Sequence, residues 1–334
     1  MVRPLSLAEL EHQWSEFESV LAQTPEIDHW CSGLEWVLSV HEGFGAGSQP
    51  LVLASDARQR PGYALLARHR LEDGRTMVAG LEPLWGFASP LVGAHVEDLS
   101  AQVAAELAGQ AWDHLVLPGM PALTDRGCFT ARVAGELSRL GQVGLAGGIV
   151  RQVADLGGGY EPWLARRSSR FRRNLQQATR RAQAAGLCIV DVSAEPDVFD
   201  RLTAIETRSW KGREDSGITG VEMAATYRPM IGRLQTRGRL RAVVARLGPT
   251  DVGYILGGVR AGIYRGLQLS YVESAAELSI GHLLQHHQLQ ALCAAGEAQL
   301  YDLGMDLGYK ERWADRPVPT FTLVIDRHRP RLLP

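Results

Sequence analysis

Apolar side chains recur at helical spacing over residues 5–24, and three alternating strand candidates follow at 50–56, 62–70 and 75–81. A Gly- and Pro-rich bend at 83–94 separates these from a helix pattern at 96–109, a strand at 115–118, a helix at 122–140 and a strand at 147–156. A basic helix at 164–185 opens a second series. It runs through a strand at 187–192, a helix around 196–210, a glycine-bearing loop at 210–220 and a helix at 222–237. Strands at 239–247, 252–260 and 263–272 come next, then a helix at 282–295, a strand at 298–303, a short helix near 306–314 and a last strand at 320–326. Strands interleaved with helices predict an α/β fold, a mixed sheet with helices on both faces. The element order of the two halves is similar, which predicts two copies of one fold, divided as residues 1–157 and 158–334.

Composition changes this picture little. The chain of 334 residues is 45% hydrophobic and 22% charged with a formal net charge of -2, values of an ordinary globular protein that name no partner. Cys31, Cys128, Cys188 and Cys293 are scattered without ligand-like spacing, as expected of reduced thiols in a cytoplasm. Glu9 and Glu11 interrupt the opening before any long apolar run, and no stretch reaches the ~20 apolar residues of a membrane helix, so neither a secretory signal nor a span is expected.

The candidate chemistry lies in the second half. The strand at 263–272 gives way to Ser279-Ile280-Gly281-His282 and the chain resumes as a helix, where free backbone N–H groups make a seat for a phosphate, Ser279 as a cap and Gly281 leaving the backbone open. The corresponding junction in the first half carries Glu97 and Asp98, which repel an anion. Asp302 sits mid-strand among apolar neighbours, a costly place unless it is paired or functional, and Lys310 is its nearest candidate partner, for catalysis or for a structural ion pair. His282 and His286 are one helical turn apart with His287 beside them. A third metal ligand is missing, so no metal is expected; His286 is a candidate base or a solvated surface residue. Trp210 and Lys211 stand in the loop, with Glu206 one turn earlier, and a tryptophan so placed reads most simply as a lid over the core. No cysteine or serine has a nucleophile–base setting. Residues 165–181 hold seven arginines and no acid, with Phe171, Leu175, Ala178, Ala182 and Ala185 on one helical face. A solvated basic face is the plain reading of that run.

The segments FRRNLQQATRRAQAAG (171–186), SWKGREDSGI (209–218), LSYVESAAELSIGHLL (269–284) and YDLGMDLGYKERW (301–313) resemble the cellulose-biosynthesis branch of the GNAT acyltransferases, related to the FemABX peptidyltransferases. The likeness covers the C-terminal half, and more loosely the first half through LEPLWGFASPLVG (81–93). It implies tandem GNAT-like domains, the first degenerate, and direct transfer of an acyl group, fatty acyl included, to an amine of a peptide, sugar or natural product bound between the halves. The implied donor is acyl-CoA or an acyl-phosphopantetheine carrier. Its arm would follow Leu269, Ser270 and Tyr271, its phosphates would lie over Ser279, Ile280, Gly281, His282 and Leu283, and Arg173 would assist. Asp302, Lys310 and His286 would be catalytic, and Glu206, Trp210, Lys211 and Tyr309 would meet the acceptor. Glu277 and Ser279 depart from the commoner Arg/Gln-plus-glycine pattern of the turn, which leaves acyl carrier protein or aminoacyl-tRNA open as donor. A non-catalytic carrier-binding partner is the alternative from another class. The basic helix would hold the 3′-phosphate of coenzyme A, an acidic carrier or a tRNA backbone; its lack of interleaved aromatics argues against sequence-specific nucleic-acid readout.

Overall fold

Ser6 ends a short edge strand, β1 (Val2–Leu5), and starts a helix by a reciprocal capping box with Glu9, so the expected helix over 5–24 is three elements: β1, α1 (Leu7–His12) and α2 (Trp14–Ala22). The computed structural model describes residues 1–55, 60–214, 216–305 and 307–328; positions 56, 215 and 306, which fall within expected elements, lie outside them. Next comes α3 (Leu34–Phe44), buried on nearly every side and without the polar stripe that marks a surface helix. There follow β2 (Gln49–Ser55), β3 (Tyr63–Arg70), β4 (Thr76–Gly80), β5 (Leu91–Val92), α4 (Val96–Ala108), β6 (His114–Met120), α5 (Phe129–Leu137) and β7 (Gln142–Ala146).

The second series is β8 (Val150–Asp155), α6 (Tyr160–Ala165), α7 (Ser169–Ala184), β9 (Leu187–Asp191), α8 (Val198–Glu206), α9 (Trp210–Arg213), α10 (Val221–Thr236), β10 (Leu240–Leu247), β11 (Thr250–Arg260) and β12 (Ile263–Tyr271). It continues with α11 (Ile280–Ala295), β13 (Leu300–Met305) and β14 (Arg316–Pro319), and β15 (Phe321–Asp326) ends the fold. The short helix expected near 306–314 is a 3-10 turn at Tyr309–Arg312.

The strands form two mixed sheets, ordered β1-β2-β3-β4-β6-β15-β7 with β5 on β3, and β9-β10-β11-β12-β13-β8-β14. Each has an antiparallel meander, β2-β3-β4 or β10-β11-β12, then a parallel pair, β4 with β6 or β12 with β13, reached through a helix, α4 or α11. An antiparallel strand follows in each, β15 or β8. The tandem α/β expectation therefore holds, with different membership. The chain makes two compact units, Met1–Ile149 with Pro319–Pro334 and Val150–Val318, rather than a division at 157/158. The strand read as the end of the first half, β8, bonds in the second sheet, and the last strand, β15, in the first. In the second unit β11 is buried along most of its length because α8 and α11 both pack on it. Among the described residues no helix is long and apolar enough to cross a membrane.

Candidate functional site

Parallel strands need a crossover, and in the second unit α11 supplies it. Pairing of β12 with β13 lasts only from Ile263–Leu300 to Arg265–Asp302, after which the strands part. A bulge displaces β12 against β11 between Gly266 and Gln268, just where it leaves its parallel neighbour. Beyond the bulge, Leu269 and Tyr271 point to the α11 side, and Gly281 lets the helix head come down on them: a Cβ there would lie 3.3 Å from both. Gly281 thus serves close packing of helix on strand. Ser270 turns to the opposite face, buried and in register with Tyr254.

The head of α11 is reached through a 3-10 turn, Glu273–Leu278, that ends on Ser279 in the left-handed region at φ 58°. Such a conformation costs a non-glycine residue of order 1 kcal/mol and gathers at functional positions. Ser279 does not cap the helix through its side chain, contrary to expectation; its Oγ instead accepts from Arg181 Nη2 at 3.3 Å. Ile280 and Leu283 are core residues, so they can offer a ligand only their backbone.

A groove of about 930 Å³ opens at this helix head, between α7 and the turn at Tyr309–Arg312. Ser168 breaks the expected helix 164–185 into α6 and α7, capping α7 by accepting from the Phe171 N–H at 3.1 Å. Leu175, Ala178 and Ala182 bury one stripe of α7, and the adjoining stripe, with Arg170, Asn174 and Arg181, faces the groove. Arg312 enters from the opposite wall. Of the other lining arginines, Arg166 and Arg167 are held by Asp315, which leaves Arg170, Arg181 and Arg312 as the cations without a carboxylate partner among the described residues. His282 is an exposed floor plate stacked on buried Trp313 at 5.8 Å and 18°. Arg173, chosen from the sequence, is exposed but does not line the groove. In the first unit Glu97 and Asp98 stand in the first turn of α4, each paired with an arginine, Arg132 and Arg60.

On the other side of β12 the loop after α8 folds over a buried polar network. Lys211 Nζ donates to Gln268 Oε1 at 2.8 Å and to the Leu269 carbonyl at 2.9 Å, tying the loop to the bulged segment. Burial pushes its pKa below the ordinary lysine value, opposed by the charge of Glu206. Glu206, fully buried, accepts from the Ile218 N–H at 2.6 Å and from Tyr254 Oη at 2.7 Å. Gln268 Nε2 reaches Tyr227 Oη at 3.4 Å, and burial raises that phenol to about 12. Trp210 stands half-exposed at the rim. The structure thus brings Glu206, Trp210 and Lys211 together; Gln268, Tyr227 and Tyr254 join them with no signal in the local pattern.

The expected Asp302–Lys310 pair does not form. Asp302 is buried between Arg151 on β8 and Arg265 on β12, the latter at 2.7 Å, and accepts from the Gly304 N–H at 2.8 Å. Burial alone would raise its carboxyl, but the two guanidinium groups and that amide outweigh it and hold it below the usual carboxylate range. Lys310 Nζ donates to the Met305 carbonyl at 2.9 Å. His286 turns away from the groove to Tyr160 of α6, hydrogen-bonded through Nε2 at 2.6 Å, and burial with the neighbouring His287 pushes its pKa down to about 4. His282 and His286 accordingly diverge, and among the described residues no cluster of three or more His, Cys, Asp or Glu is placed to hold a metal. Tyr309 is half-exposed on the turn, close enough to Tyr271 for their charges to couple, outside the groove lining.

Residues 169–311 match the family model of the acetyltransferase (GNAT) domain. Among solved structures, FemX is similar over 96% of both chains at 11% identity with a TM-score of 0.64. A conserved protein of unknown function from Bacteroides thetaiotaomicron is similar over 97% of this chain and 99% of its own, at 7% identity and a TM-score of 0.63. A tandem GNAT protein from the clavulanic acid biosynthesis pathway covers 99% of both chains at 15% identity and a TM-score of 0.52. No curated protein sequence matches the chain. The fold is that of tandem GNAT proteins, and residues 169–311 of the second unit are similar to the GNAT acetyltransferase domain.

Proposed function

We propose that the protein is a cytoplasmic N-acyltransferase whose second unit binds a thioester donor, its phosphates in the groove at the head of α11 and its acyl end in the gap where β12 and β13 part. One observation carries this reading: the head of α11 and three arginines without carboxylate partners among the described residues line one open groove. The acceptor amine attacks the thioester carbonyl, the new C–N bond forms as the C–S bond breaks, and the thiolate takes up the proton the amine gives away. Lys211, Glu206, Gln268 and Trp210 border the acceptor's approach, on the face of β12 opposite α11. The clamped, ionised Asp302 and the low-pKa His286 are poorly set to take a proton, which favours an acceptor that arrives as the free amine. A polysaccharide precursor, a peptide side chain or a natural-product amine suits the resemblance of the motifs.

Calorimetry with acetyl-CoA, longer acyl-CoAs, an acylated carrier protein and charged tRNA tests the reading. Saturable binding of a thioester, weakened by Arg181→Ala, is expected. Binding of charged tRNA alone, lost on ribonuclease treatment, would replace the thioester by an aminoacyl ester. Failure of every donor would end the proposal.

A further inference from the structure

The groove accounts for only part of the charge on α7. Arg173 and Arg180 lie two turns apart on the side opposite the buried Leu175–Ala178–Ala182 stripe, both exposed, and neither has a carboxylate partner among the described residues. A small donor seated against Arg170, Arg181 and Arg312 does not need them. The helix dipole does not call for Arg173 either: α7 has no acid in its first turn, and Arg173 lies with Arg170 and Arg172 in its N-terminal half, where a cation is disfavoured. The band from Arg170 through Arg173 to Arg180 and Arg181 is continuous with the groove mouth and runs along a helix about 24 Å long.

We infer that the outward face of α7 is a docking surface for an acidic acyl carrier protein, which delivers its phosphopantetheine-borne acyl group through the adjoining groove. This rests on the thioester-donor reading above. Charge complementarity selects the partner: arginine forks suit carboxylates on a facing helix. The surroundings disfavour RNA. The exposed face of α7 interleaves its arginines with Gln176, Gln177 and Gln183 rather than with stacking aromatics, and the whole chain, at a net charge of -2, lacks the basic excess of a nucleic-acid-binding domain. A carrier docked here has its tethered arm at the groove mouth, and the groove arginines then hold the arm's single phosphate.

The test uses the full-length protein with octanoyl-holo acyl carrier protein of the fatty-acid-synthesis type, its apo form, octanoyl-CoA and bulk tRNA. Octanoyl-holo carrier is expected to bind and to weaken about tenfold between 50 and 300 mM salt, because the contact is a set of exposed charge pairs. Arg180→Glu should raise the Kd for octanoyl-holo and apo carrier about fivefold or more, Arg180→Lys should restore most of it, and the affinity for octanoyl-CoA should stay within twofold in both. Carrier binding that ignores Arg180→Glu, or an equal loss for carrier and octanoyl-CoA, overturns the docking surface while the donor reading stands. Competition by tRNA at lower concentration than by carrier makes RNA the occupant and also overturns it. If neither carrier nor octanoyl-CoA binds, the docking surface falls, and the thioester-donor reading falls with it when acetyl-CoA also fails to bind.

Discussion

At the scale of single residues, burial was easier to foresee than partnership. That Asp302 sits in an apolar strand was visible in its neighbours, but its counter-charges come from Arg151, far away along the chain, and from Arg265, brought opposite it by the register of a parallel pair. Neither follows from spacing. A carboxylate clamped this way is a structural group, and its removal strands two buried cations. Asp302→Asn is therefore expected to cost about 3–5 kcal/mol in urea unfolding while the folded fraction keeps its kcat within a few-fold. A loss of two orders of magnitude in kcat at unchanged stability would place Asp302 in the chemistry instead. His286 is the opposite case, a neutral ring kept so by burial. Its folded pKa of about 4 lies below the ordinary value of 6.5, so the unfolded chain takes up the proton first. The stabilisation is complete above about pH 6.5 and is lost as the pH falls toward 4, by at most roughly 3 kcal/mol and by less where water reaches the ring. Urea titrations at pH 7 and pH 5 should show that drop in the wild type and a smaller one in His286→Gln, which keeps a hydrogen-bonding partner for Tyr160.

Elements add direction to position. The amphipathic character of α7 was plain from Leu175, Ala178 and Ala182, yet which arginines meet a ligand depends on which flank of that stripe borders the groove, and only the packing of α7 beside α11 decides it. Arg170 and Arg181 flank the stripe on the groove side, whereas Arg173 lies one step further round. Arg170→Ala and Arg181→Ala should each raise the donor KM about tenfold, the loss of one charge-assisted hydrogen bond, with kcat little altered. A fall in kcat at constant KM would mean that these side chains act on the reaction and not on binding. The turn before α11 was legible as a break, but the left-handed Ser279 was not, because serine gives no sign of positive φ as glycine would. Ser279→Gly relieves that conformation and releases Arg181, so thermal unfolding should show unchanged or slightly higher stability, by up to about 1 kcal/mol, while donor affinity falls. The helix α3 went unread for a related reason: with nearly all its side chains buried, it lacks the polar face by which periodicity is recognised.

For the whole molecule, repetition was readable but not membership. Two series of similar elements stood out in the sequence, and the two sheets do share one strand order, yet hydrophobic pattern alone cannot tell which sheet a terminal strand completes. β15 inserts between β6 and β7, bonded to both, so the first sheet contains a strand that is synthesised last. The second unit is continuous, from Val150 to Val318, with β8 and β14 in its own sheet. This asymmetry gives the two units different fates when cut. A chain ending at residue 318 leaves β6 and β7 without the strand that joins them, and buried Leu323 and Ile325 are lost from the first core. That truncation should melt the first unit, seen as a separate low-temperature transition or as loss of part of the cooperative signal. Residues 150–319 alone retain every strand of their sheet, the groove and the gap between β12 and β13. They should unfold cooperatively in urea and bind the donor with the affinity of the full chain to within a few-fold. If the fragment folds but no longer binds, the donor site needs more than the second unit supplies; if it fails to fold, the contiguity of its sheet is not sufficient for independent stability.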